Sequence, residues 1–132
     1  MYLKELGKTK GKLYFQNYFS VCRKPWFSNV NLPRKSITTI NRIRANHYNL
    51  AASLARIKVV SDCKCQCSAE CEDINHVLWQ CKIYDSQREK LINKLVKLKF
   101  QLPFTVEIFL HKPHIPASIC INQFLSDCKL KI

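Results

Sequence analysis

The sequence predicts a small, mainly α-helical domain with no extended sheet, organised around a cysteine- and histidine-rich loop. Three observations carry this. Only two glycines, Gly7 and Gly11, occur in 132 residues, which leaves few tight β-hairpin turns and no glycine-rich phosphate loop. Apolar residues recur at three- and four-residue spacing on both sides of the loop, which is the period of a helix. Five of the eight cysteines fall in the stretch CKCQCSAECEDINHVLWQC, residues 63–81, with one histidine among them. The chain is 47% hydrophobic, enough for a packed core.

In chain order, residues 10–22 (KGKLYFQNYFSVC) read as a short aromatic-rich helix. KPWFSNVNLPRK follows as a linker broken by Pro25 and Pro33, with Trp26 and Phe27 anchoring it on the core. Ser36 is the expected N-cap of the next helix. On its wheel Ile37, Ile40, Arg44 and His47 share one stripe, flanked by Ile43. Arg44 and His47 therefore point where apolar side chains point. They are read as structural polar groups: Arg44 pairing with a carboxylate or with carbonyls near the loop, Asp62 or Asp73 being the nearest candidates, and His47 bonding to backbone rather than ligating a metal. Leu50, Leu54 and Ile57 continue at helical spacing, with Arg42 and Arg56 facing water. After the loop, KIYDSQREKLINKLVKLKF is an amphipathic helix with Leu91, Ile92, Leu95, Val96 and Leu98 on its buried face, ended by Pro103. A short apolar piece (TVEIFL), a proline-flanked turn (HKPHIP) and a last helix (ASICINQFLSDCKL) complete the chain. The organisation expected is an aromatic and basic segment with linker over 1–33, a helical CCHC module over 34–100, and a helical tail over 101–132.

The charge is strongly positive and uneven, with 22 Lys+Arg against 9 Asp+Glu overall. Residues 1–60 carry twelve basic side chains and a single acid, Glu5. Such a surface attracts polyanions, because each phosphate contact releases condensed counterions. The candidate contacts are Lys8, Lys10, Lys12, Arg34, Lys35, Arg42, Arg56, Lys90, Lys94 and Lys97. No apolar run approaches the ~20 residues that a membrane span requires. No apolar stretch follows the basic start MYLKELGKTKGK as a secretion signal would, so the expected location is nucleus or cytoplasm. Thiols stay reduced there, which turns the cysteines from disulfides towards metal ligation.

Zinc takes four tetrahedral thiolate or imidazole ligands. Cys65-Gln-Cys67 supplies one half of such a site from a turn. His76 and Cys81 supply the other from a helix and its end, giving C-x-C-x8-H-x4-C. By proximity alone, Cys63 and Cys71 compete for the same role. Glu70, Glu72 and Asp73 precede the histidine, where carboxylates cap a helix start or orient an imidazole.

With these residues in view, RIRANHYNLAASLARI and CQCSAECEDINHVLWQCKIYDSQREKL resemble the carboxy-terminal tail that follows the ribonuclease H domain in reverse-transcriptase polyproteins of LINE-type (non-LTR) retrotransposons of insects. The resemblance spans about residues 10–100 and rests on Arg42, Arg44, His47, Cys65, Cys67, His76, Cys81, Tyr84 and Arg88. It departs at Ser68, where that family has glycine. Cys71 stands where the family has a polar residue, so the resemblance implies that it is not a ligand. It further implies a zinc-knuckle-like module that holds RNA or target DNA, or that packs on upstream ribonuclease H or reverse-transcriptase domains. It carries no enzyme with it: no Y-x-D-D occurs, and the nine acids are scattered rather than set out for two-metal chemistry. The expectation is a non-catalytic protein with no small-molecule substrate.

Overall fold

The structure is a computed structural model that describes residues 24–132. The expected helix over 10–22 and the candidate contacts Lys8, Lys10 and Lys12 lie outside the described residues. Six α-helices follow one another: α1 (Arg34–Arg44), α2 (Ala51–Arg56), α3 (Ile74–Trp79), α4 (Asp85–Lys97), α5 (Val106–Leu110) and α6 (Ile115–Asp127). One 3-10 turn, Lys82–Tyr84, leads into α4. The fold is mainly helical as expected, and no strand occurs among the described residues. No helix among them is long and apolar enough to cross a membrane.

α1 starts earlier than Ser36. Pro33 is the N-cap, with φ −57° and ψ 143°, and its carbonyl accepts the N–H groups of Ser36 and Ile37 at 3.0 and 3.1 Å. Proline's fixed φ suits it to the mouth of a helix, and this outweighs the hydroxyl of Ser36. Trp26 anchors the preceding linker. Its indole N–H donates to Asn41 Oδ1 at 2.7 Å, and its ring packs edge-on against Phe27 and on the core.

The helix ends show a device that the sequence conceals. At α1, Asn46 takes φ 55°, its N–H reaches the Ile43 carbonyl, and the His47 N–H reaches the Arg42 carbonyl. That is a Schellman motif. The same pair of bonds ends α2 at Lys58 (φ 62°), α4 at Lys99 (φ 70°) and α6 at Lys129 (φ 57°). These are left-handed positions where glycine is the usual residue, and a lysine there costs about 1 kcal/mol.

These stops correct several expected placements. Because α1 ends at Arg44, His47 falls beyond the helix and is exposed, off the apolar stripe. Arg44 is buried as expected, at 8% exposure. However, it reaches the His111 carbonyl at 3.4 Å rather than Asp62 or Asp73 at the loop. Ile57 is the C-cap of α2 and is 46% exposed. On α4, Leu91 and Leu95 are buried, but Val96 and Leu98 are exposed. Arg88 takes the third buried position of that face.

Leu91 and Leu95 of α4, Ile121, Phe124 and Leu125 of α6, and Ile40 and Ile43 of α1 share one core, with α6 in contact with both α4 and α1. α5 joins α3 to α6. Phe109 of α5 is fully buried and meets Phe100, Phe104 and Trp79 at ring-centroid distances of 4.7, 5.5 and 5.8 Å. The core therefore draws on residues from both sides of position 100. Trp79 spends its face on this aromatic group and its N–H on Asn75 Oδ1 at 3.1 Å. Tyr84 packs on Phe124.

Candidate metal centre

Between α2 and α3 the chain forms a compact loop held by backbone bonds. The N–H of Glu72 donates to the Cys63 carbonyl, and the N–H of Ala69 lies beside the Cys67 sulfur. Within it, Ser68 N–H reaches the Cys65 carbonyl at 3.0 Å and Cys65 N–H reaches the Ala69 carbonyl at 3.1 Å, closing a turn around Gln66 and Cys67. Ser68 has φ 74°. The turn thus needs a left-handed residue at the position where the resemblance expects glycine, and serine occupies it with strain of about 1 kcal/mol.

The three carboxylates of this stretch take separate roles. Asp73 caps α3, its Oδ1 accepting the His76 N–H at 2.7 Å. Glu72 caps α2 from across the loop: its carboxylate accepts the Ala51 N–H and its carbonyl the Ala52 N–H, both at 3.0 Å. Leu50, the N-cap of α2, has no side chain able to do this. Glu70 is exposed, and only its carbonyl is used, accepting the Cys63 thiol at 3.3 Å. Tyr48 adds a further tie, donating its N–H to Ser53 Oγ and accepting the Ile74 N–H on its hydroxyl. Burial of that phenol raises its pKa.

This scaffold brings Cys65, Cys67, His76 and Cys81 together, with their ligand atoms all within 4.8 Å of one another. Cys65 Sγ lies 3.6 Å from Cys81 Sγ, and Cys67 Sγ lies 3.3 Å from His76 Nε2. A tetrahedral ion with metal–sulfur bonds of ~2.3 Å places its sulfurs about 3.8 Å apart, so the set fits one ion. The group could hold a metal; Cys63 and Cys71 are outside it. Cys65 and Cys81 are at 5% and 0% exposure, while Cys67 is the more open ligand.

The thiols are electrostatically unequal. Burial, reinforced by the neighbouring Cys67 and Cys81 sulfurs, pushes Cys65 up to about 12. The Ala69 N–H, opposed by burial and helped by Cys65 and His76, brings Cys67 down to about 7. A cation entering the group must therefore displace a firmly held proton from Cys65, whereas Cys67 yields its proton readily. Outside the group, burial and the adjacent Cys63 push Cys71 up to about 11.

Arg88 is the residue whose role sequence reasoning missed. It is 6% exposed, and its guanidinium donates to the carbonyls of Leu78, Val77 and Cys81 and to Asp85 Oδ1. Leu78 and Val77 lie in the last turn of α3, where carbonyls have no helical partner. Arg88 thus fastens Cys81 and the helix carrying His76 onto α4. An arginine seven residues past a ligand cysteine, on a helix otherwise apolar at that face, was the available signal.

Of the candidate nucleic-acid contacts, Arg34, Lys35, Lys90, Lys94 and Lys97 are exposed. Arg42 is exposed but gives Nη1 to the Ile132 carbonyl at 2.9 Å. Arg56 closes the α1–α2 turn on the Asn46 carbonyl and Ser53 Oγ. The candidates fall on three different elements, and the structure does not gather them into one cluster.

No family model, no curated protein and no solved structure matches this chain.

Proposed function

We propose that this chain is a zinc-ordered, non-catalytic nucleic-acid-binding module, of the kind its resemblance to retrotransposon reverse-transcriptase tails implies, gripping RNA or DNA through phosphates. The convergence of three thiols and one imidazole within 4.8 Å carries the reading. That donor set is the one structural zinc takes, and it leaves no position open for substrate. The metal would act by holding the loop, α3 and the start of α4 together, since the binding energy of a structural ion is folding energy. The surrounding surface, at net charge +13, supplies the attraction for phosphate.

A second reading is packing on a neighbouring protein domain. The exposed apolar side chains Val59, Val96, Leu102 and Ile108, at 65, 52, 64 and 52% exposure, favour it.

The test is native mass spectrometry of the reduced chain, followed by fluorescence anisotropy with labelled single-stranded RNA, single-stranded DNA and duplex. One zinc per chain and binding that weakens steeply with salt are expected. A metal-free chain overturns the zinc assignment. A zinc-loaded chain that ignores all three probes near physiological salt shifts the function to protein packing.

A further inference from the structure

Beyond the candidate metal centre, a recess lies between α1, α6 and the segment after α6. Its volume is about 840 Å³, within the range of ligand clefts, and it accommodates a stretch of one strand rather than a duplex. Four of its lining residues are basic: Arg34, Lys35, Arg42 and Lys131. No acidic side chain and no aromatic ring lines it. Its floor is apolar, from Leu125, Leu130 and Ile132, with Ile119 half exposed at its edge. Hydroxyl and amide groups such as Ser36, Asn122 and Gln123 stand between the cations.

Resting on the proposed nucleic-acid binding, we infer that this groove is where the strand lies: it seats the sugar–phosphate backbone of a single strand, with Arg34, Lys35, Arg42 and Lys131 on its phosphates. Charge complementarity names the occupant. Arg34 and Arg42 lie eight residues apart on α1, which is ~12 Å along the axis. The two guanidiniums are thus far enough apart to meet different phosphates of one strand. Neutral donors between cations match phosphate and sugar oxygens, which recur along a strand. An acidic peptide offers carboxylates at irregular reach and no such repeat. Without an aromatic ring there is no stacking platform, so the groove reads backbone and discriminates little between bases.

The experiment compares two doubly substituted chains of equal net charge. Lys35→Ala/Lys131→Ala empties two exposed positions of the groove; Lys82→Ala/Lys112→Ala removes two exposed lysines outside it. Both are checked by thermal melting and titrated against a labelled 12-nucleotide RNA over a salt series. The groove variant is expected to flatten the salt slope by about 1.4 and to weaken binding roughly 25-fold at 0.1 M salt, from two lost single-strand phosphate contacts. The control should change binding less than about threefold. Equal losses in the two variants, or none in the groove variant, overturn the groove while leaving nucleic-acid binding intact. An unsubstituted chain that binds a glutamate-rich peptide but no RNA overturns both.

Discussion

The loop over residues 63–81 and the packing of α1, α4 and α6 are held by different forces. In the helical packing, side chains such as Ile40, Leu95 and Ile121 are fully buried among other apolar groups. Its stability comes from area removed from water and scales with each side chain. Of the loop, only α3 reaches that core, through Ile74, Val77 and Leu78; residues 63–73 add none of its side chains. They are held by backbone bonds and by the caps that Asp73 and Glu72 supply, beside four side chains that could hold an ion. The first region is expected to tolerate graded damage, whereas the second, on the function proposed, would depend on a single event, the capture of an ion, which would stand in for a core there.

The contrast is sharpest under metal removal, where the largest effect is expected. Chelation, or His76→Ala, should abolish metal binding and lose the amide protection of residues 63–81, followed by exchange NMR. Amides of α6 should keep most of theirs. Leu95→Ala, by comparison, should cost about 3 kcal/mol across the whole molecule, in the range for buried leucines, read by urea melting of the metal-loaded chain. Collapse of α6 on chelation would show that the two regions are one cooperative unit.

Arg88 is the seam between the regions, and the next effect belongs to it. Arg88→Ala leaves the carbonyls of Val77, Leu78 and Cys81 without their buried donor. A loss of about 3 kcal/mol in the loaded chain is expected, with weaker metal retention against a competing chelator. Arg88→Lys should rescue little, since one ammonium cannot spread over three carbonyls and Asp85 as the planar guanidinium does. Metal retention unchanged in Arg88→Ala would separate α4 from the centre.

The smallest effects are gains. Lys99→Gly and Ser68→Gly place glycine at φ 70° and φ 74°, one at the end of a core helix and one inside the loop. Each should stabilise by about 0.5–1 kcal/mol, less than the relieved strain because glycine also frees the unfolded chain. Thermal melting should register Lys99→Gly with or without metal. Ser68→Gly should register only in the loaded chain. A gain from Ser68→Gly in the metal-free chain would show the turn to be formed before the ion arrives.

How much was legible in the sequence follows the same division. The convergence of Cys65, Cys67, His76 and Cys81 could be read because spacing constrains chemistry: C-x-C in a turn and H-x4-C across a helix end can meet at one point. The helical class and the apolar faces were legible from period alone, as Ile40, Ile43, Leu91 and Leu95 show. The helix ends were not. A reader looks for glycine at a Schellman stop, and this chain uses Asn46, Lys58, Lys99 and Lys129. Missing the stop at Asn46 extended α1 on paper, which carried His47 into the core when it belongs in solvent. Arg44 was placed correctly inside and a carbonyl was among its expected partners, but the one it meets is at His111 and not on the loop, because periodicity reports which way a side chain faces and nothing about which distant carbonyl it meets. Arg88 was missed for a related reason: its place on the apolar face of α4 marked it as buried, but the carbonyls of Val77, Leu78 and Cys81 that it meets leave no mark in the local pattern.

Cys81 is gripped at both ends, by its sulfur in the ligand group and by its carbonyl under Arg88. A residue clamped in this way works as a fulcrum. Were the group to take up an ion, a shift at the sulfur would be handed through the Cys81 carbonyl to the Arg88 guanidinium, and from there to the seating of α4 against α6. The occupancy of a buried ion would then be legible at a distance, as altered side-chain resonances of Leu91 and Ile121, in a part of the molecule that never touches the metal.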